Sequence, residues 1–125
     1  MLRAAARSGR DRRGIERVPV RLFTHTPEKP LVAGLGVFHS SELGYVFGTD
    51  FPLDPPQPDE LPLGTTVRGY WTRLAAAGDP NGSGSPSWSK YAAASDPNME
   101  LDLPKSSGQT GYKKAKCDFW DTALP

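Results

Sequence analysis

Metal-binding and cross-linking side chains are scarce in this sequence, which has one cysteine and two histidines. A single cysteine excludes an internal disulfide, and the set falls short of a self-contained tetrahedral zinc site. Isoleucine occurs once, at Ile15, so β-branched material for a sheet is thin. Leu, Ile, Val and Phe make up 24 of 125 residues, at the edge of what a packed core needs. The apolar runs are only a few residues long, which excludes a segment that spans a bilayer. Neither sign of charge dominates: 15 Lys and Arg face 14 Asp and Glu, for a net charge of +1. That balance argues against a uniformly basic nucleic-acid binder and against an acidic solvating tail.

Turn material is abundant instead. Glycine and proline together make 26 of 125 residues, well above the roughly 12 % of ordinary chains. A mass of 13.5 kDa allows one small domain and excludes two compact cores. So loop-rich a composition reads as the edge of something larger.

Residues 1–17 stand apart, with Arg3, Arg7, Arg10, Arg12, Arg13 and Arg17 against Asp11 and Glu16. They read as a frayed terminus or a truncated helix. No apolar stretch follows the arginines, so a bacterial signal peptide fits badly, whereas the composition admits a mitochondrial-type presequence. Val18–Thr24 alternates and predicts a strand, with Pro19 tolerated near its start. Residues 40–47 predict a short helix whose Leu43, Val46 and Phe47 share a face. Residues 48–62 read as a proline-rich loop.

The strongest helix signal covers 65–77, where Val67, Tyr70, Trp71 and Leu74 form one stripe. Thr65 or Thr66 is placed to cap it, and Gly78 to end it. Asp79-Pro80-Asn81-Gly82 predicts a tight turn. Residues 83–98 read as a polar loop anchored by Trp88 and Tyr91, and Met99–Leu103 as a short edge strand stopped by Pro104. A helix over 113–124 closes the chain, with Cys117, Trp120 and Leu124 on one side. This inventory supplies one strand and two helices, and no visible surface to cover the 67–74 stripe.

Familiar catalytic motifs are absent. The sequence has no Gly-x-Ser-x-Gly elbow, no His-Gly-Gly-Gly loop and no P-loop, and Gly34-Leu35-Gly36 is only a fragment of a dinucleotide fingerprint. Gly82-Ser83-Gly84-Ser85 has the wrong spacing for an elbow and reads as loop. His25 ends the strand and reads as a partly buried, hydrogen-bonded histidine. His39 lies on a loop at a helix start, with Glu42 three residues on, where a carboxylate also suits the first turn of a helix.

The wording around His39 resembles the catalytic-histidine segment of the type-B carboxylesterases, the family of cholinesterases and bacterial para-nitrobenzyl esterases. The shared pattern is Gly36, His39 and Glu42, followed by Tyr45-Val46-Phe47-Gly48. Three further segments resemble the family in the same order: residues 21–26, the 68–82 stretch RGYWTRLAAAGDPNG, and the 116–121 stretch KCDFWD. The likeness spans about residues 18–122 and implies the C-terminal part of an α/β-hydrolase fold.

The resemblance also implies roles. His39 becomes the triad histidine of carboxylic ester hydrolysis, and Glu42 a carboxylate in the hydrogen-bond network behind the site. In such enzymes the order is Ser, acid, His along the chain, so the serine, the acid and the oxyanion loop belong upstream. No metal, nucleotide or other cofactor enters the scheme. The partners it implies are an ester substrate in the full-length parent and an upstream hydrolase fragment, with neither nucleic acid nor a membrane span. Full-length relatives are often exported, and the compartment of this chain stays open. Cys117 reads as a free, partly buried thiol. Two other readings stand beside this one: a truncated, non-catalytic product, and a small interaction module that buries the 67–74 stripe against another protein.

Overall fold

The alternating stretch after the arginines forms an extended strand, β1 (Arg21–Phe23). The computed structural model describes residues 19–28, 33–49 and 56–123. The arginine-rich segment 1–17, Val18 at the expected start of the strand, the loop stretches 29–32 and 50–55, and Leu124 lie outside the described residues.

β1 is not alone. It pairs in parallel with β2 (Pro97–Leu101), with Arg21 opposite Met99 and Phe23 opposite Leu101. β2 pairs antiparallel with β3 (Ser107–Thr110), from Pro97 opposite Thr110 to Glu100 opposite Ser107. The order β1-β2-β3 makes β2 central among the described strands. This corrects the expected edge strand at Met99–Leu103, which begins two residues earlier and sits inside the sheet. Pro97 is tolerated because it is the first residue of the strand. β3 reads Ser-Gly-Gln-Thr, mostly exposed, and its polar side chains give no hydrophobic alternation from which to predict a strand.

Among the described residues three helices accompany the sheet: α1 (Leu43–Phe47), α2 (Leu61–Ala77) and α3 (Lys114–Ala123). α2 starts four residues before the expected Thr65. Pro62 sits in its first turn, where a missing N–H costs nothing. A 3-10 turn, Pro58–Glu60, leads into it and is closed by a reciprocal capping box between Gln57 and Glu60. The loop expected over 48–62 is thus structured at its end. Thr65 is no cap, because its hydroxyl bonds back to the Leu61 carbonyl at 3.0 Å. At the other end Gly78 behaves as expected: at φ 72° it returns its N–H to the Leu74 carbonyl.

The core consists of Phe23, Tyr45, Leu63, Val67, Tyr70, Trp88, Met99 and Leu101. Val67 and Tyr70 are fully buried, and Trp71 and Leu74 are half-buried. The chain therefore covers its own helix stripe, against the expectation that this face lacks a surface. The cover includes the short helix Leu43–Phe47, which packs along α2, and the loop carrying Trp88, whose ring meets Tyr70 and Trp71; that loop has no helix or strand period to reveal it. An interaction module built on that stripe loses its basis.

α1 also turns a different face inward. Gly44 and Tyr45 are buried and Val46 packs half-buried against the core, while Phe47 is 68 % exposed, so the expected Leu43/Val46/Phe47 face meets the core only in part. In a single-turn helix one buried hydrogen-bonding tyrosine outweighs the apolar spacing. Trp88 anchors its loop as expected, whereas Trp120 on α3 is 58 % exposed and packs edge-on to Phe119 at the surface. Cys117 is a half-buried free thiol.

The turn after α2 forms through its side chains. Asp79 Oδ1 accepts the backbone N–H of Asn81 at 2.9 Å, which holds the Asp79 carboxyl below its usual range. The Asn81 amide then grips Trp88. Its Oδ1 accepts the Trp88 N–H at 2.7 Å, and its Nδ2 donates to the Trp88 carbonyl at 3.0 Å. The Trp88 indole donates to the Val20 carbonyl at 3.0 Å and stands edge-on to Tyr70. One asparagine thereby fastens the 83–88 loop to β1 and the core.

Candidate functional site

Gly36, at φ 61°, and the His39-Ser40 turn lead the chain from β1 back to α1. The Ser41 N–H bonds to Phe38 O and the Leu43 N–H to Ser40 O, both at 3.1 Å, so the turn is closed by its own backbone. His39 is exposed within this turn. Glu42 occupies the N-cap position of α1 and its carbonyl starts the helix, accepting the N–H groups of Tyr45 and Val46. Its side chain reaches Arg21 on β1 at 3.3 Å. The Arg21 guanidinium lies 5.0 Å from the centre of the Trp71 ring. Glu42 is therefore tied to the strand before the loop, and it holds the base of the loop rather than the imidazole.

Ser40 stands at φ 72°, in the left-handed region. Side chains there cost roughly 1–2 kcal/mol, which glycine avoids in part at the expense of extra chain entropy. Ser40→Gly is expected to raise stability by up to about 1 kcal/mol, read as a higher urea midpoint with an unchanged slope.

A buried polar cluster joins the two ends of this connection. His25 is 5 % exposed, and its two ring nitrogens face two carboxylates: Nε2 is 2.8 Å from Glu60 Oε1, and Nδ1 is 3.2 Å from Asp102 Oδ1. The same Glu60 oxygen accepts the Tyr45 hydroxyl at 2.8 Å and the Glu28 N–H at 3.0 Å. Glu60 Oε2 accepts the Gln57 N–H at 2.7 Å. The Thr24 hydroxyl lies 3.0 Å from Asp102 and 3.1 Å from Glu100. The sequence reading of His25 as a hydrogen-bonded buried histidine agrees with this geometry. Sequence reasoning misses Glu60 and Asp102, and it places Tyr45 and Arg21 only inside resembling segments, with no role assigned. Glu60 had a legible signal, since Gln57-x-x-Glu60 before an apolar run has capping-box spacing.

The cluster joins the end of β1, the start of α1, the start of α2 and the end of β2. The loop that carries His39 leaves from His25 and returns at Tyr45, so both its ends are fixed to Glu60. Burial pushes the Glu60 carboxyl up, but donation by His25, by the Gln57 and Glu28 N–H groups and by Tyr45 more than offsets this, and the net direction is down. Burial, then the bond to the Glu60 carboxylate, pushes the Tyr45 hydroxyl well up.

A pH dependence follows. A carboxyl depressed by folding stabilises the fold above its unfolded value near 4.5, and this contribution is lost as pH falls through the lower folded value. Glu28, raised by its hydrogen bond to Asp59 and by that residue's charge, acts in the opposite sense at the exposed rim. Buried Glu60 outweighs it, so the melting temperature is expected to fall as the solution is acidified below pH 4.5. In Glu60→Gln that acid limb should flatten.

The sequence model of the carboxylesterase family matches residues 11–120. The chain belongs to the carboxylesterase family. Carboxylesterase 3B of Mus musculus is 31 % identical over 116 residues, covering 82 % of this chain and 20 % of the relative. The medium-chain fatty acyl-CoA hydrolase precursor of Anas platyrhynchos is 34 % identical over 82 residues, covering 66 % of this chain and 14 % of the relative. A solved thermophilic PNB esterase superposes with a TM-score of 0.69 at 24 % identity, covering 82 % of this chain and 21 % of that one. This carboxylesterase chain thus spans about a fifth or less of the proteins it matches, and its mixed sheet and helices form part of an α/β-hydrolase fold.

Proposed function

We propose that this carboxylesterase segment supplies the general base of a serine carboxylic ester hydrolase, and that His39 is that base. The observation that carries the reading is the placement of His39: an exposed residue in a turn between His25 and Tyr45, both of which bond one buried carboxylate. In the reaction His39 accepts the proton of a serine hydroxyl as its oxygen attacks the ester carbonyl. The same proton then passes to the departing alkoxide, leaving an acyl-enzyme, and a water repeats both steps. Glu42, braced by Arg21, sets the direction of the loop. The printed names of the relatives, a fatty acyl-CoA hydrolase and a carboxylesterase, support acyl esters as the substrate class.

The sequence holds no Gly-x-Ser-x-Gly elbow, so the nucleophile in this scheme comes from an upstream hydrolase segment. The chain alone is expected to lack triad-level activity. Enzymes stripped of triad members lose roughly 10⁴–10⁶ in kcat and keep what the oxyanion hole and binding supply. Assay of the purified chain on an activated nitrophenyl ester should show no saturation, and a serine-directed fluorophosphonate should label nothing. Saturable turnover that is lost in His39→Ala, with one serine labelled stoichiometrically, would place a nucleophile within this chain.

A further inference from the structure

Gly82 is required by a pinned arginine. A Cβ at this position would meet Arg73 Cδ at 2.6 Å and Nε at 2.8 Å. Arg73 is not free to give way: Nε donates to the Pro80 carbonyl at 2.7 Å, Nη2 donates to the Ser85 hydroxyl at 3.2 Å, and the guanidinium lies over the Tyr70 ring. The fold therefore demands glycine directly after Asn81. That pairing is chemically labile, because a glycine nitrogen carries no neighbouring side chain to shield its approach to the asparagine Cγ.

We propose that Asn81 is a site of spontaneous deamidation, gated by opening of the 79–88 loop, and that its conversion unfastens Trp88 from the core. The Gly82 backbone nitrogen gives up its proton and attacks Asn81 Cγ. The new C–N bond closes a succinimide, the Cγ–Nδ2 bond breaks, and ammonia leaves. Water then opens either imide carbonyl, giving an aspartate or an isoaspartate at position 81. In the closed loop this path is blocked. The carboxamide is held by the Trp88 N–H, the Trp88 carbonyl and the Asp79 carboxylate, so Cγ cannot turn toward the glycine nitrogen.

The product does not rebuild the clamp. A carboxylate still accepts the Trp88 N–H, but its other oxygen faces the Trp88 carbonyl and the Asp79 carboxylate, where the asparagine donated to both. Two donors become two repulsions. The loop then loses its hold on Trp88, whose indole reaches β1 and whose ring packs on Tyr70. The other asparagine serves as an internal control: Asn98 is buried in β2 and is followed by Met99.

The test incubates the unaltered chain at mildly alkaline pH, with and without urea, and maps both asparagines by peptide mass. Conversion is expected at Asn81 and not at Asn98 under native conditions. Unfolding should speed it on the order of tenfold to a hundredfold, as befits release of a few hydrogen bonds. Asn81→Asp should melt below Asn81→Ala, which removes the clamp without adding charge. Equal rates in native and unfolded chain, native conversion of Asn98 as fast as Asn81, or an Asn81→Asp chain as stable as the unaltered one would each overturn the proposal. If neither variant folds, the rate comparison on the unaltered chain decides.

Discussion

Glu60→Ala is expected to remove most of the cooperative unfolding transition of this chain. The carboxylate accepts four hydrogen bonds, from His25, Tyr45 and the Glu28 and Gln57 backbone, and is fully buried. Alanine strands those donors where water is largely excluded. Each stranded buried donor costs about 1–3 kcal/mol, so the loss of their common acceptor is felt several times over. Whole domains are stable by only about 5–15 kcal/mol. Thermal unfolding followed by circular dichroism should show a broad, low transition or none. A loss below roughly 0.5 kcal/mol, as at an ordinary surface position, would show that the cluster does not hold the fold together. Tyr45→Phe, which removes one donor and keeps the acceptor, should cost far less.

The part of the fold that was legible in the sequence is the part with a period or a stop signal. β1 alternates, α2 carries an apolar stripe, and Gly78 sits where a left-handed C-cap must fall. Of the remaining sheet, a strand from Met99 was legible but its central place was not, and β3 left no signal, because these features are defined by partners. Pro97 heads β2, and β3 has no apolar residue, so both depend on pairing across the chain rather than on local pattern. The same holds for the inward face of α1, where the bond from Tyr45 to Glu60 decides and apolar spacing does not.

The candidate site divides in the same way. His39 and Glu42 lie close in sequence and were singled out from the motif that contains them. The carboxylates that lock the ends of the loop lie 35 and 77 residues from His25, and such separations leave no local trace. Arg21 and Trp71 likewise meet only in the folded chain, although together they brace Glu42.

The two histidines have opposite settings. His25 is buried between carboxylates, whereas His39 is exposed, and the role proposed for His39 is in the reaction. The most direct measurement combines the chain with an upstream carboxylesterase segment bearing the serine elbow, and compares turnover and melting of His39→Ala and His25→Asn. In His39→Ala, kcat on a nitrophenyl ester should fall by roughly 10⁴–10⁶ while the melting temperature holds, and His25→Asn should lower the melting temperature. Full turnover in His39→Ala, in a complex that is active with the unaltered chain, would contradict the assignment of His39 as the base.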